Sequence, residues 1–239
     1  MRRLHEGTFY ECAATAAVID PSYMYLDQGD DSFVPVTSPL LGLPAPTNGE
    51  WWRPCAEPTV VAFLARAGTG KTTAANYLVA EYGAVKVSFA GPLKELARRL
   101  MDYSDAQLFG DQKEKVGRGG ITPRHFLQTL GNESRKLIGD TVWIDAAYKA
   151  VSAHPGKLVV IDDCRYPNEV DAVHSRGGTV VKLEASDRAS TADPNHPSEL
   201  GVDEASQAYI RHTIDNQHAW GTAPLFARLD GIVHHLQND

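Results

Sequence analysis

An α/β fold, with a parallel sheet of five strands and helices on both faces, is what this sequence predicts from Thr59 onward. Short apolar runs of strand length alternate with amphipathic helical stretches. Several of those runs are continuously apolar, as strands buried on both faces are. Glycines stand where helices should stop. At 239 residues the chain accommodates one such domain and an appendage.

Val60 to Leu64 is the first apolar run; it enters a glycine-rich turn and then a helical stretch, Thr72 to Tyr82, closed by Gly83. Val85, Val87 and Phe89 alternate as a second strand. Pro92 opens a helix that carries Leu93, Leu96, Ala97, Leu100 and Met101 at helical spacing. Thr122 and Pro123 fit the N-cap and first position of another, which carries Phe126, Leu127, Leu130, Leu137 and Ile138, and Asp140 can cap the stretch holding Trp143 and Tyr148. Leu158 to Ile161 gives a third strand, Asn168 to Arg176 a helix ended by Gly177 and Gly178, and Thr179 to Leu183 a fourth strand. A strand at Ile210 to Ile214 and a helix from Ala223 to Leu236 complete the count.

Residues 1–58 read differently, because six prolines fall between Pro35 and Pro58 with little periodicity among them. They are expected to form an irregular extension to a domain spanning 59–239. The chain's start lacks the apolar core of a secretory signal, and no run approaches the roughly 20 apolar residues of a membrane span. Cys12, Cys55 and Cys164 have no metal-ligand spacing, which fits a reducing cytoplasm. A net charge of −7 opposes nonspecific binding to nucleic acid. Residues 86–136 run against that balance, with ten bases to six acids, and can meet a small anion.

Ala65-Arg66-Ala67-Gly68-Thr69-Gly70-Lys71-Thr72 has the Walker A spacing, with alanine in place of the first glycine. Alanine serves there if its φ is negative, while Gly68 and Gly70 stand where the backbone must curl to aim N–H groups at phosphate oxygens. The preceding strand and following helix supply the context this motif requires. Nucleotide binding follows, with ATP phosphates on Ala65, Ala67, Gly68, Thr69, Gly70, Lys71, Thr72 and Thr73. Lys71 would reach the β- and γ-phosphates, and the Thr72 hydroxyl would ligate Mg2+. The strand ending in Asp162-Asp163 has the form of a second metal element, with Asp163 as ligand and Asp162 as its alternative.

Four blocks, in order, resemble the bacteriophage deoxynucleoside monophosphate kinases: Ala65 to Thr73, Ser88 to Lys94, Arg124 to Glu133, and Asp163 to Glu169. A weaker fifth is His196-Pro197-Ser198-Glu199. The resemblance covers about residues 59–236 and implies a three-layer P-loop kinase fold with a lid segment. It also implies a deoxynucleoside monophosphate acceptor. Cations are needed for that acceptor's phosphate, and Lys94, Arg124 and Arg165 stand in these blocks. Arg165 follows the strand-end carboxylates and is expected to act on the transferring phosphoryl group. Ser88, Phe89, Gln128, Glu133 and Glu169 complete the expected acceptor site, with Phe89 and Gln128 facing the base. Residues 185–200 read as a lid carrying Arg188. His196 stays binding or structural, because an ionised acceptor phosphate needs no general base. A homodimer is left open. Two other readings are kept: a kinase for dephospho-coenzyme A or for modified bases in phage DNA, and an ATP-driven switch or assembly protein.

Overall fold

The computed structural model describes residues 57–187 and 197–238, with five short strands among residues 10–54. The chain divides into two compact units, Met1–Pro58 with Ser152–Lys157, and Thr59–Val151 with Leu158–Asp239. In the first, β1 (Tyr10–Cys12) pairs antiparallel with β2 (Val18–Ile19) and β5 (Trp52–Pro54), and β3 (Tyr25–Asp27) with β4 (Phe33–Pro35). The irregular extension expected there thus contains paired strands. Pieces of two or three residues are too short to leave a readable alternation in sequence.

The second unit holds β6 (Thr59–Leu64), α1 (Lys71–Tyr82), β7 (Val85–Val87), α2 (Gly91–Met101), α3 (Asp105–Leu108), α4 (Pro123–Leu137), α5 (Val142–Ser152), β8 (Leu158–Cys164), α6 (Pro167–Ser175), β9 (Thr179–Glu184), α7 (Pro197–Glu204), β10 (Ile210–Asp215) and α8 (Ala223–Asn238). The sheet order is β10-β9-β6-β8-β7, with every pair parallel. All five expected strands are present. Thr122 caps α4 by accepting the His125 N–H at 3.2 Å, with Pro123 at the first helical position, and Gly83 closes α1 at φ +62.

Strand alternation sorts the core into two layers. Val60, Ala62 and Leu64 of β6 pack with Ile144 and Ala147 of α5 and Val170 and Val173 of α6, whereas Val61 and Phe63 face Ala74, Ala75 and Leu78 of α1 and Leu225 and Leu229 of α8. Burial of a side chain such as Leu78 is worth about 1.5–3 kcal/mol. The Tyr77 and Tyr82 hydroxyls both donate to Asp230 Oδ1, at 2.6 and 2.7 Å, and tie α1 to α8. Because β6 is central and first in sequence, the loop after it lies mid-sheet at the carboxyl edge, where strand order reverses and ligands bind in open α/β sheets.

Candidate active site

β6 ends at the buried Ala65, and the chain then turns through Gly68 (φ +82) and Gly70 (φ +100) into α1. Asp102 is the single non-glycine residue with positive φ among those described, so Ala65 opens the turn without strain. Glycine at 70 is required twice over: its φ is left-handed, and a Cβ there would lie 2.4 Å from Asn216 Nδ2. That buried amide donates to the Thr69 carbonyl at 2.9 Å, and its own N–H donates to Glu184 O at 2.7 Å. Asn216 was invisible to the sequence reading because its partner is 147 positions away. No side chain caps the α1 N-terminus among the described residues, which leaves the first-turn N–H groups as an anion site.

Lys71 is buried, and its ammonium donates to the carbonyls of Ala65 (2.7 Å) and Arg66. Burial is the main force pulling its pKa down to about 8; Arg165 adds to it, and Glu199, Asp162 and Asp163 oppose it. Thr72 and Thr73 are exposed in the first turn of α1.

Both strand-end carboxylates have partners. Asp162 pairs with Lys86 at 2.6 Å. Asp163 accepts the Phe89 N–H at 2.8 Å on one oxygen and the Ala90 N–H at 3.0 Å on the other, holding the entry to α2. Burial raises its pKa against those two hydrogen bonds. Each oxygen of an ionised carboxylate has a second lone-pair direction, so Asp163 retains acceptor capacity. With the Thr72 hydroxyl it would offer only oxygen donors, the chemistry that suits a magnesium ion held by one or two protein ligands with water and phosphate in the remaining positions.

A cavity of about 260 Å³ opens beside these groups. Of the acceptor residues expected from sequence, Phe89, Lys94, Gln128, Arg165 and Glu169 line it. Phe89 is also a core residue, 2% exposed. Burial lowers the pKa of Lys94, and its ammonium stands 4.5 Å over the Phe109 ring. Burial first, and then the like charges of Lys94, Arg124 and Arg165, lower the pKa of Lys113. Arg124 itself is exposed and pairs with Glu114. Glu169 is pushed up to about 8, by burial first and then by Asp163, and its Oε2 accepts the N–H groups of Arg165 (2.8 Å) and Tyr166 (3.2 Å).

Arg124, paired with Glu114, stays outside the cavity lining, and two more expected residues do too. Glu133 is exposed on α4 and pairs with Lys136 at 2.7 Å, a helix-face ion pair at i,i+3 spacing. Ser88 lies in the β7–α2 link, where its carbonyl accepts the Gly91 N–H at 3.0 Å. In their place the cavity gains Arg135, whose guanidinium stacks 4.8 Å above the Tyr166 ring and lies 3.7 Å from Glu169. Its spacing from Gln128, seven residues and about two turns, was the signal that would have placed it on the same face. Trp143 also lines the cavity and donates its indole N–H to Gly131 O at 3.2 Å.

On the loop's other side a cavity of about 390 Å³ is bordered by Arg66 to Thr69, the end of β9 and α7. From α7, Asp203 pairs with Arg66. Glu199, 1% exposed, accepts the Ala67 N–H at 3.1 Å and an Arg165 Nη1 bond at 3.0 Å. Arg188 and His196 lie outside the described residues.

A parallel sheet in this order, with a glycine-curled loop after its central strand and cations gathered at the same edge, defines a P-loop kinase. No family model matches the chain. It is 33% identical over 158 residues to a protein of Acanthamoeba polyphaga mimivirus named "Putative deoxynucleotide monophosphate kinase", covering 59% of this chain and 80% of that one. The chain belongs to the family of that viral kinase. It is also 31% identical over 153 residues to "Uncharacterized protein ORF77" of Ictalurid herpesvirus 1 (strain Auburn), covering 61% of this chain and 60% of that one. Among solved structures, TT1252 from Thermus thermophilus is 14% identical at a TM-score of 0.46, over 75% of this chain and 98% of its own. The family shown is that of the mimivirus protein, not specifically the bacteriophage group that the sequence blocks resemble. No helix among the described residues is long and apolar enough to cross a membrane.

Proposed function

We propose that residues 59–239 are a catalytic domain that transfers the γ-phosphoryl group of ATP to a deoxynucleoside monophosphate, giving the diphosphate and ADP. The observation that carries this reading is the convergence of Lys71, Lys94 and Arg165 around Asp163 at one sheet edge, between the phosphate loop and the cavity. Donor phosphates would lie on the loop N–H groups and Lys71, with the α1 N-terminus adding its positive end. The acceptor's phosphate would meet Lys94 and Arg165, with Arg124 free to join only by leaving its pair with Glu114, and its base would rest among Phe89, Gln128 and Arg135. An acceptor phosphate oxygen forms the new bond to the γ-phosphorus as the bond to the ADP oxygen breaks. That oxygen is already ionised, so no protein base is required. Arg165 would follow charge on the transferring group. Mg2+ held by Thr72 and Asp163 would neutralise phosphate charge.

Relationship to a kinase whose name specifies a deoxynucleotide monophosphate supports this choice of acceptor. A net charge of −7 and a cavity of about 260 Å³ favour a single nucleotide over a polymer. The reaction would serve DNA-precursor synthesis in the cytoplasm of the host of a virus, bacteriophage included. Purified protein with ATP, Mg2+ and each deoxynucleoside monophosphate in turn provides the test, scored for ADP. At least one monophosphate should raise ADP formation tenfold or more over ATP alone. Equal ADP formation with and without every acceptor would overturn the proposal in favour of a hydrolase or switch.

A further inference from the structure

We infer that Glu199 is a positioning residue of this site, fixing the Arg165 guanidinium against the phosphate loop. The inference rests on the kinase reading above and assigns a role to a carboxylate outside both the loop and the acceptor cavity. Glu199 sits on α7, beyond 130 residues of chain from the loop it touches, yet is 1% exposed. One of its oxygens takes the Ala67 N–H and the other takes Arg165 Nη1. Arg165 is thereby held by two different carboxylates: Glu169 accepts its backbone N–H at 2.8 Å, and Glu199 accepts from its tip at 3.0 Å.

The seat is built closely. Gly201 brings α7 so near the Arg165–Pro167 segment that a Cβ there would lie 2.6 Å from the Arg165 carbonyl oxygen. Asp203 clasps Arg66 two residues further along α7. A buried ion pair adds little stability over apolar packing, because desolvation offsets most of the attraction. What the pair supplies is geometry: a guanidinium fork at a set distance from the loop before substrate arrives. The alternative is a clip that merely fastens α7 to the sheet.

The two are separated by Glu199→Gln, Glu199→Asp, Arg165→Lys and the double variant E199Q/R165K, each checked for a native melting transition. Glutamine has a single carbonyl oxygen and cannot accept from both partners. E199Q should lose at least tenfold in kcat while KM for ATP and for the monophosphate each move less than threefold. The double variant should be no more than threefold slower than R165K, because Glu199 acts through Arg165. E199D, which keeps both carboxylate oxygens, should recover kcat. A wild-type kcat for E199Q overturns the inference, as do losses that multiply in full in the double variant. Failure of both E199Q and E199D to fold also overturns it, since Glu199 would then belong to the fold alone. A wild-type protein that turns over no nucleotide sinks the kinase reading itself, whereas an active wild type with an undiminished E199Q sinks only the role of Glu199.

Discussion

In the proposed donor half of the site, consecutive residues between β6 and α1 bring their backbone to one point, and two left-handed glycines shape the curve. In the acceptor half, Phe89, Lys94, Gln128, Arg165 and Glu169 come from a link, three helices and a strand end. Backbone-built function is local, and tolerates side-chain change at a position such as Ala65. Side-chain-built function is distributed, and each member depends on neighbours that hold it. The two halves should therefore respond differently to substitution.

The largest effect is expected at their junction. Lys71→Ala should lower kcat by about two decades or more, because the cation proposed to meet the β- and γ-phosphates is lost, while the far-ultraviolet circular dichroism stays native. Near-normal turnover in a folded variant would remove the loop from the site. On the acceptor side, Arg165→Lys keeps one charge and loses the planar fork. A fall of roughly ten- to hundredfold in both kcat and kcat/KM for the monophosphate, with ATP affinity steady, marks action in the transition state. A raised KM at constant kcat would make Arg165 a ground-state contact instead.

A smaller effect probes how far the donor half is really local. Asn216→Ala leaves the buried Thr69 carbonyl without its amide donor, at a cost of about 1–3 kcal/mol. Melting temperature should drop and KM for ATP should rise together. If only the melting temperature moves, the loop holds its shape without that crosslink, and the donor half is local in full.

Acid–base behaviour sharpens the same contrast. Lys71 has a folded pKa of about 8, below its ordinary 10.5. As pH rises through 8 the free enzyme loses its phosphate-binding cation, so kcat/KM for ATP should decline. Stability moves the other way. Between pH 8 and 10.5 the unfolded chain binds the proton that the folded chain has released, so this residue's contribution to unfolding free energy increases with pH. Subtracting the Lys71→Ala melting profile from the wild-type one isolates that rise; a flat difference would refute the low pKa.

The smallest effect should come from removing residues 1 to about 50, because both halves lie beyond Thr59. A folded truncation should keep kcat within about threefold of the full chain, in line with a self-contained domain. A soluble, folded and inactive truncation would show that residues 1–58 contribute to the site.

What was legible in the sequence follows the same division. The five strands, the loop and the caps at Thr122 and Gly83 could be read because each depends on neighbours within a few positions. Lys94, Gln128, Arg165 and Glu169 could be nominated as a set, but their convergence could not be shown until distant elements were packed. Glu133 was misplaced because its position on α4, not its charge, decides what it meets. Asn216 and Arg135 escaped for the opposite reason, and Glu199 stood in the weaker fifth block without a role: nothing local distinguishes a buried polar side chain with a remote partner from an exposed one.

The strand order has a bearing on how this protein is made. β6, which carries the phosphate loop, pairs with β8 and β9 and not with β7, its successor in sequence. Val60 sits beside Val159, and Val61 beside Thr179, so about a hundred residues separate the central strand from its partners. While the ribosome is still adding α4 and α5, β6 and the glycines after it have no sheet to join. Closing such long loops is entropically slow, and unpaired apolar strands are open to association with other chains in the interval. The nucleotide-binding loop is thus synthesised first in its domain and completed among the last, and ATP can report on folding only after β9 has docked.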